Sequence, residues 1–144
     1  MNAAELHALY APLWEKVPET RPVRTTYVPQ DGYPHVALVD RYRLSYIHDD
    51  HYGDWGFVDD LGSHCETFGT ATAAALCREA AEDWLETQQA VLTVTPPSVT
   101  PTRQWCVRFV DAWYTTWEGF GPSRDHALVQ AVMYYQAAEL APAN

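Results

Sequence analysis

The sequence predicts an α+β domain: an N-terminal helix, a hairpin, and two strand-strand-helix repeats whose strands form an antiparallel sheet covered by helices. Three observations predict it. Sliding the chain against itself by 52 positions gives eight identities over the 20 positions from 57 to 76, among them Phe57-Val58-Asp59 on Phe109-Val110-Asp111 and Phe68-Gly69 on Phe120-Gly121. Both matched stretches pass from period-two alternation to a helical stripe of period 3.6. A chain of 144 residues, 47% hydrophobic and 19% charged, fits one domain over residues 1–144 that buries its own core.

Taken in order, Asn2 and Glu5 have the spacing of a capping box, and Leu6, Leu9, Tyr10 and Leu13 form the apolar stripe of a first helix. Residues 18–34 contain Pro18, Pro22, Pro29 and Pro34 and read as an extended connection. Tyr33 to Ile47 alternates in two short runs, VALV and YRLSYI, which predicts a hairpin turning at Asp40-Arg41. The first repeat, about 55–88, starts a strand at Trp55 and Phe57. It turns at Asp59-Asp60-Leu61-Gly62, returns over His64 to Phe68, and enters a helix that runs to about Gln88. A proline-rich link follows at 95–102, whose prolines exclude helix and central strand.

The second repeat, about 107–140, has Trp105, Val107 and Phe109 alternating with Cys106, Arg108 and Val110, and a returning strand over Tyr114 to Phe120. Gly121-Pro122-Ser123 ends that strand, with Ser123 suited to cap the helix that continues to Leu140. This unit, WCVRFVDAWYTTWEGFG with DHALVQAVMYYQAA after it, resembles the small phage proteins of the "phage ABA sandwich" type. FGTATAAALCREA of the first unit is a looser match, and the acidic loop and proline-rich link depart from that pattern. The resemblance implies a phage or prophage accessory protein and carries no known chemistry.

A net charge of −10, from 19 acids against nine bases, opposes ordinary binding of nucleic acid, which needs clustered Lys and Arg. Residues 40–70 alone hold seven acids and two bases, a net of −5. Cys65, Cys77 and Cys106 form no CxxC pair and are odd in number, as expected in a reducing compartment. With no apolar run long enough to span a bilayer and no leader-like start, the expectation is a cytoplasmic protein without membrane attachment.

Candidate chemistry is sparse. His48-Asp49-Asp50-His51, with Asp54, Asp59, Asp60 and His64 after it, has the donor types for a metal, and His48, His51 and His64 are the candidate ligands. The spacing matches no metal motif, and Asp is an ordinary turn former. Cys65 beside His64 does not make a thiol-imidazole pair, since neighbours on a strand point to opposite faces. Glu66 and Glu118 occupy equivalent repeat positions, so an internal twofold could pair them; each holding a local contact is the plainer reading. Trp113, Tyr114 and Trp117 crowd one hairpin, as core or as a partner surface.

The reading is therefore a non-enzymatic acidic interaction protein of phage or mobile-element origin, without a cofactor, that contacts a protein partner. Its expected contact residues are Asp49, Asp50, Asp54, Asp59, Asp60, Trp113, Tyr114 and Trp117. A small-ligand or nucleotide binder with a pocket between repeats or across a homodimer is the first alternative, and a metal-dependent hydrolase the second.

Overall fold

A computed structural model describes residues 1–30, 33–47 and 53–140. The chain is α+β, with three helices and two antiparallel sheets. Helix α1 (Ala3–Lys16) opens with the expected capping box: the Glu5 N–H donates to Asn2 Oδ1 at 2.8 Å, and the Asn2 N–H donates to Glu5 Oε1 at 3.4 Å. Leu6, Tyr10 and Leu13 are fully buried, and a short 3-10 turn (Pro18–Thr20) leads out of the helix.

The first sheet has the order β1 (Val23–Gln30), β2 (Tyr33–Tyr46), β3 (Trp55–Val58), β4 (His64–Phe68). Two sequence expectations change here. The proline-bearing stretch read as a connection is strand β1, which pairs with β2 from Val23↔Arg43 to Pro29↔Ala37. Pro29 is tolerated because β1 is an edge strand, where a missing N–H costs no ladder bond. Asp40-Arg41 is then the middle of one 14-residue strand and not a turn, because the hairpin partner of β2 lies before it in the chain.

Helix α2 (Thr70–Thr87) follows, then β5 (Val91–Thr95), β6 (Trp105–Val110), β7 (Thr116–Gly121) and helix α3 (Arg124–Leu140). Strands β5, β6 and β7 make the second sheet in that order. The sequence places both repeated hairpins in one sheet, whereas the structure divides them between two, with β5 as an added edge to the second. Val91–Thr95 alternates, with Leu92 and Val94 half-buried against the core and Val91 outward, but it sits against the proline-rich link and gives a short signal.

The buried faces of both sheets point at helices. Trp55 meets Trp14 of α1 edge-on at 6.4 Å between ring centroids, and α1 in turn packs on α3. Against the second sheet, α3 lies close because Gly119 and Gly121 of β7 leave room for its backbone. A Cβ on Gly119 would stand 2.0 Å from the carbonyl oxygen of Ala127. One carboxylate joins the three helices: Asp125 of α3, buried in its first turn, accepts from the Tyr10 hydroxyl of α1 at 2.6 Å and from Arg78 Nη1 of α2 at 3.0 Å. No helix among the described residues is long and apolar enough to cross a membrane.

Candidate functional site

The hairpins β3–β4 and β6–β7 close with turns of the same hydrogen-bond pattern. In β3–β4, Asp59 Oδ1 accepts from the N–H groups of Leu61 (2.9 Å) and Ser63 (2.8 Å), and Gly62 adopts φ +86°. In β6–β7, Asp111 Oδ1 accepts from the N–H groups of Trp113 (2.9 Å) and Thr115 (2.9 Å), and Tyr114 adopts φ +64°. The backbone bonds match as well, Asp59 with Ser63 at 3.0 Å and Asp111 with Thr115 at 2.9 Å. Every residue of one turn is 52 positions from its counterpart, the offset at which the sequence matches itself. An aspartate that bonds the backbone two and four residues on, followed by a left-handed residue, makes a turn held largely by its own local hydrogen bonds.

What the turns carry differs. The first presents Leu61, 92% exposed; the second presents Trp113 and Tyr114, 87% and 90% exposed. Both aromatics therefore project toward solvent from a hydrogen-bonded tip. Asp111 is committed to holding it: hydrogen bonds from Trp117 and from the turn backbone lower its carboxyl pKa below the usual carboxylate range.

Trp117 belongs to the inside. Its indole N–H donates to Asp111 Oδ2 at 3.0 Å, and its ring packs against Tyr135 of α3 at 5.7 Å, beside Phe109. Of the three aromatics singled out from the sequence, the structure thus brings two to the surface together and turns the third inward. The returning strand, expected over Tyr114 to Phe120, starts at Thr116, so Trp113 and Tyr114 belong to the turn and strand alternation does not separate them.

The acidic candidates scatter. Asp49, Asp50, His48 and His51 lie outside the described residues. Asp59 spends its carboxylate on the turn, Asp60 pairs with Arg43 at 2.9 Å, and Asp54 is exposed. His64 is exposed at the start of β4, and among the described residues no three His, Cys, Asp or Glu side chains are placed to hold a metal ion. Glu66 and Glu118 sit in different sheets and each holds a local pair, Glu66 with Arg24 at 2.7 Å and Glu118 with Arg108 across the β6–β7 hairpin.

Cys77 is buried on α2, and burial together with nearby Asp125 pushes its thiol up to about 12, which makes it a packing residue without reactivity at neutral pH. The same carboxylate raises the Tyr10 hydroxyl, second to burial itself. Asp125 escaped the sequence reading because an acid in the first turn of a helix is expected to face water; its burial depends on two partners far away in the chain. Comparison with family models, with curated protein sequences and with solved structures returns no match.

Proposed function

We propose that the chain is a non-enzymatic binding protein, of phage or mobile-element origin, that engages a protein partner through the β6–β7 tip. The observation that carries this is Tyr114. It stands at the left-handed position that its sister turn fills with Gly62, where a side chain costs roughly 1 kcal/mol, and it is 90% exposed, so no packing within the chain repays that cost. Trp113 beside it doubles the exposed aromatic area. Trp and Tyr anchors on a preorganised loop are what protein interfaces use, because they bury much area at little cost in side-chain entropy.

The charge distribution suggests the partner's chemistry. Nineteen acids stand against nine bases, and of the four bases that follow β4 in the chain, Arg78, Arg103, Arg108 and Arg124, only Arg103 lacks a carboxylate partner among the described residues. The tip therefore projects from an acidic body, which suits an apolar pocket rimmed by basic groups.

A photo-crosslinking residue at position 113 identifies the partner, and the purified pair gives the affinity. Trp113→Ala with Tyr114→Ser weakens it by about a hundredfold or more, at unchanged thermal stability. Identical binding by wild type and the double variant would overturn the reading.

A further inference from the structure

Between α2 and the segment from the end of α1 to β1 lies a cleft of about 960 Å³, joined by a smaller recess of about 290 Å³ that shares Arg21 and Arg41 with it. Five of the nine bases line the two: Lys16, Arg21, Arg24, Arg41 and Arg43. In a chain of net −10 that is the single place where positive charge gathers.

The charges are sorted by wall with one exception, Glu19 of the 3-10 turn, an acid that lines both recesses on the basic side. Every base comes from α1, β1, β2 or the turn between them. The α2 wall contributes Glu79 and Asp83, one helical turn apart and both exposed. Yet among the described residues no ion pair crosses the cleft. Arg24 and Arg43 are taken by Glu66 and Asp60, and Arg21 is pinned by bonds to the Leu44 carbonyl (2.8 Å) and Ser45 Oγ (2.9 Å) over the Trp14 ring. Among the described residues, Lys16 and Arg41 on one side and Glu79 and Asp83 on the other have no ion-pair partner. Charges of both signs thus line one cleft without pairing across it, together with the apolar Phe57, Leu76 and Trp84.

We propose that this cleft binds a small organic phosphate with a planar apolar ring and hydrogen-bond donors, a mononucleotide in chemical terms. The phosphate goes to Lys16 and Arg41, with Arg24 and Arg21 adding to the field. The ring lies beside Trp84, and amino or hydroxyl donors reach Glu79 and Asp83. A single anion would satisfy one wall only, and an apolar molecule neither.

Calorimetric titration of the full chain with adenosine 5′-monophosphate tests it, with inorganic phosphate and adenosine as separate probes. The monophosphate binds saturably and more weakly as salt rises, while each half-molecule binds at least about tenfold more weakly. Lys16→Gln with Arg41→Gln removes phosphate-dependent binding, Asp83→Asn reduces the preference for the monophosphate over inorganic phosphate, and none of these exposed positions alters thermal stability. Trp113→Ala with Tyr114→Ser leaves the titration unchanged, since the tip is a separate site. Absence of saturation up to about 10 mM overturns the proposal, as does equal affinity for adenosine or inorganic phosphate, or wild-type binding by the Lys16/Arg41 variant.

Discussion

In the hairpin β3–β4 the residue opposite Phe57 is Glu66, whereas in β6–β7 the residue opposite Phe109 is Trp117, one place earlier in the repeat. The difference arises at an irregularity between Phe57 and Val58, where Cys65 is passed over and left without a partner. Below that bulge the two hairpins share register and turn. Above it every side chain of β4 is rotated to the other face. Glu66 and Phe68 consequently share the face of Phe57, Phe68 packing on it at 5.8 Å and the exposed Glu66 pairing with Arg24, whose guanidinium lies 4.7 Å over the same ring. In β7 the inward places belong to Trp117, Gly119 and Gly121, and α3 settles onto the glycines. One extra residue thus separates a hairpin that seats its own helix from one that does not. The strand-strand-helix order and the turn are common to both units, while the docking of the helix is not.

The largest expected effect follows from the glycines. Gly119→Ala puts a methyl carbon 2.0 Å from the Ala127 carbonyl and 2.6 Å from the Ala131 nitrogen, both backbone, so α3 must lift from the sheet. Urea denaturation should show a loss of about 3 kcal/mol or more. The repeat counterpart, Thr67→Ala, should change stability by less than about 1 kcal/mol, because no helix rests on that place. Gly121→Ala against Gly69→Ala repeats the contrast with identical residues, since a Cβ at 121 meets His126 Cβ at 2.5 Å and one at 69 meets nothing within 4 Å. Equal losses at 119 and 67 would mean that the two hairpins carry their helices alike.

These positions also show what is legible in the chain. Both hairpin turns, both later helices and the first capping box follow from short-range chemistry: an aspartate before the turn, Ser123 accepting from the His126 N–H at 3.2 Å, apolar stripes at helical spacing. Strand β1 is hidden because its Pro29 is harmless only at an edge, and edge position is a property of the assembled sheet. The bulge at Cys65 is hidden because register is a relation between strands. The sites divide in the same way. Trp113 and Tyr114 are adjacent and stand out in sequence, whereas Lys16, Arg24 and Arg41 are spread over two dozen positions and meet only through the fold.

The helices offer the second comparison. At the helix position where α3 has Val129, α2 has Cys77. A thiol held at about 12 against an ordinary 9.0 stays neutral in the folded chain while the unfolded chain ionises. The stabilising effect is complete below pH 9 and is lost as pH climbs from 9 toward 12, at about 1.4 kcal/mol per unit. Urea midpoints should therefore fall by the equivalent of about 2 kcal/mol by about pH 10.5. Cys77→Val, which copies α3, should flatten the curve between pH 9 and 10. Above pH 10 the decline returns in that variant, because Tyr10, raised by burial and by Asp125, then resists ionising in its turn. A curve unchanged by Cys77→Val would show that α2 opens to solvent before its thiol titrates.

The smallest effect concerns the turns themselves, and it separates stability from purpose. Tyr114→Gly gives the second tip the residue of the first, relieving a side chain at φ +64° while adding backbone freedom to the unfolded chain. The two contributions are of opposite sign and each about 1 kcal/mol, so the melting temperature should stay the same or rise slightly. Gly62→Ala makes the reverse exchange at φ +86° with nothing gained by contact, since a Cβ there touches no atom within 4 Å, and should cost about 1 kcal/mol. A clear loss of stability in Tyr114→Gly would mean that the ring is held by the chain itself and would remove the reason to assign it to a partner. No loss, together with weakened binding to the crosslinked partner, places the worth of that side chain outside the folded monomer.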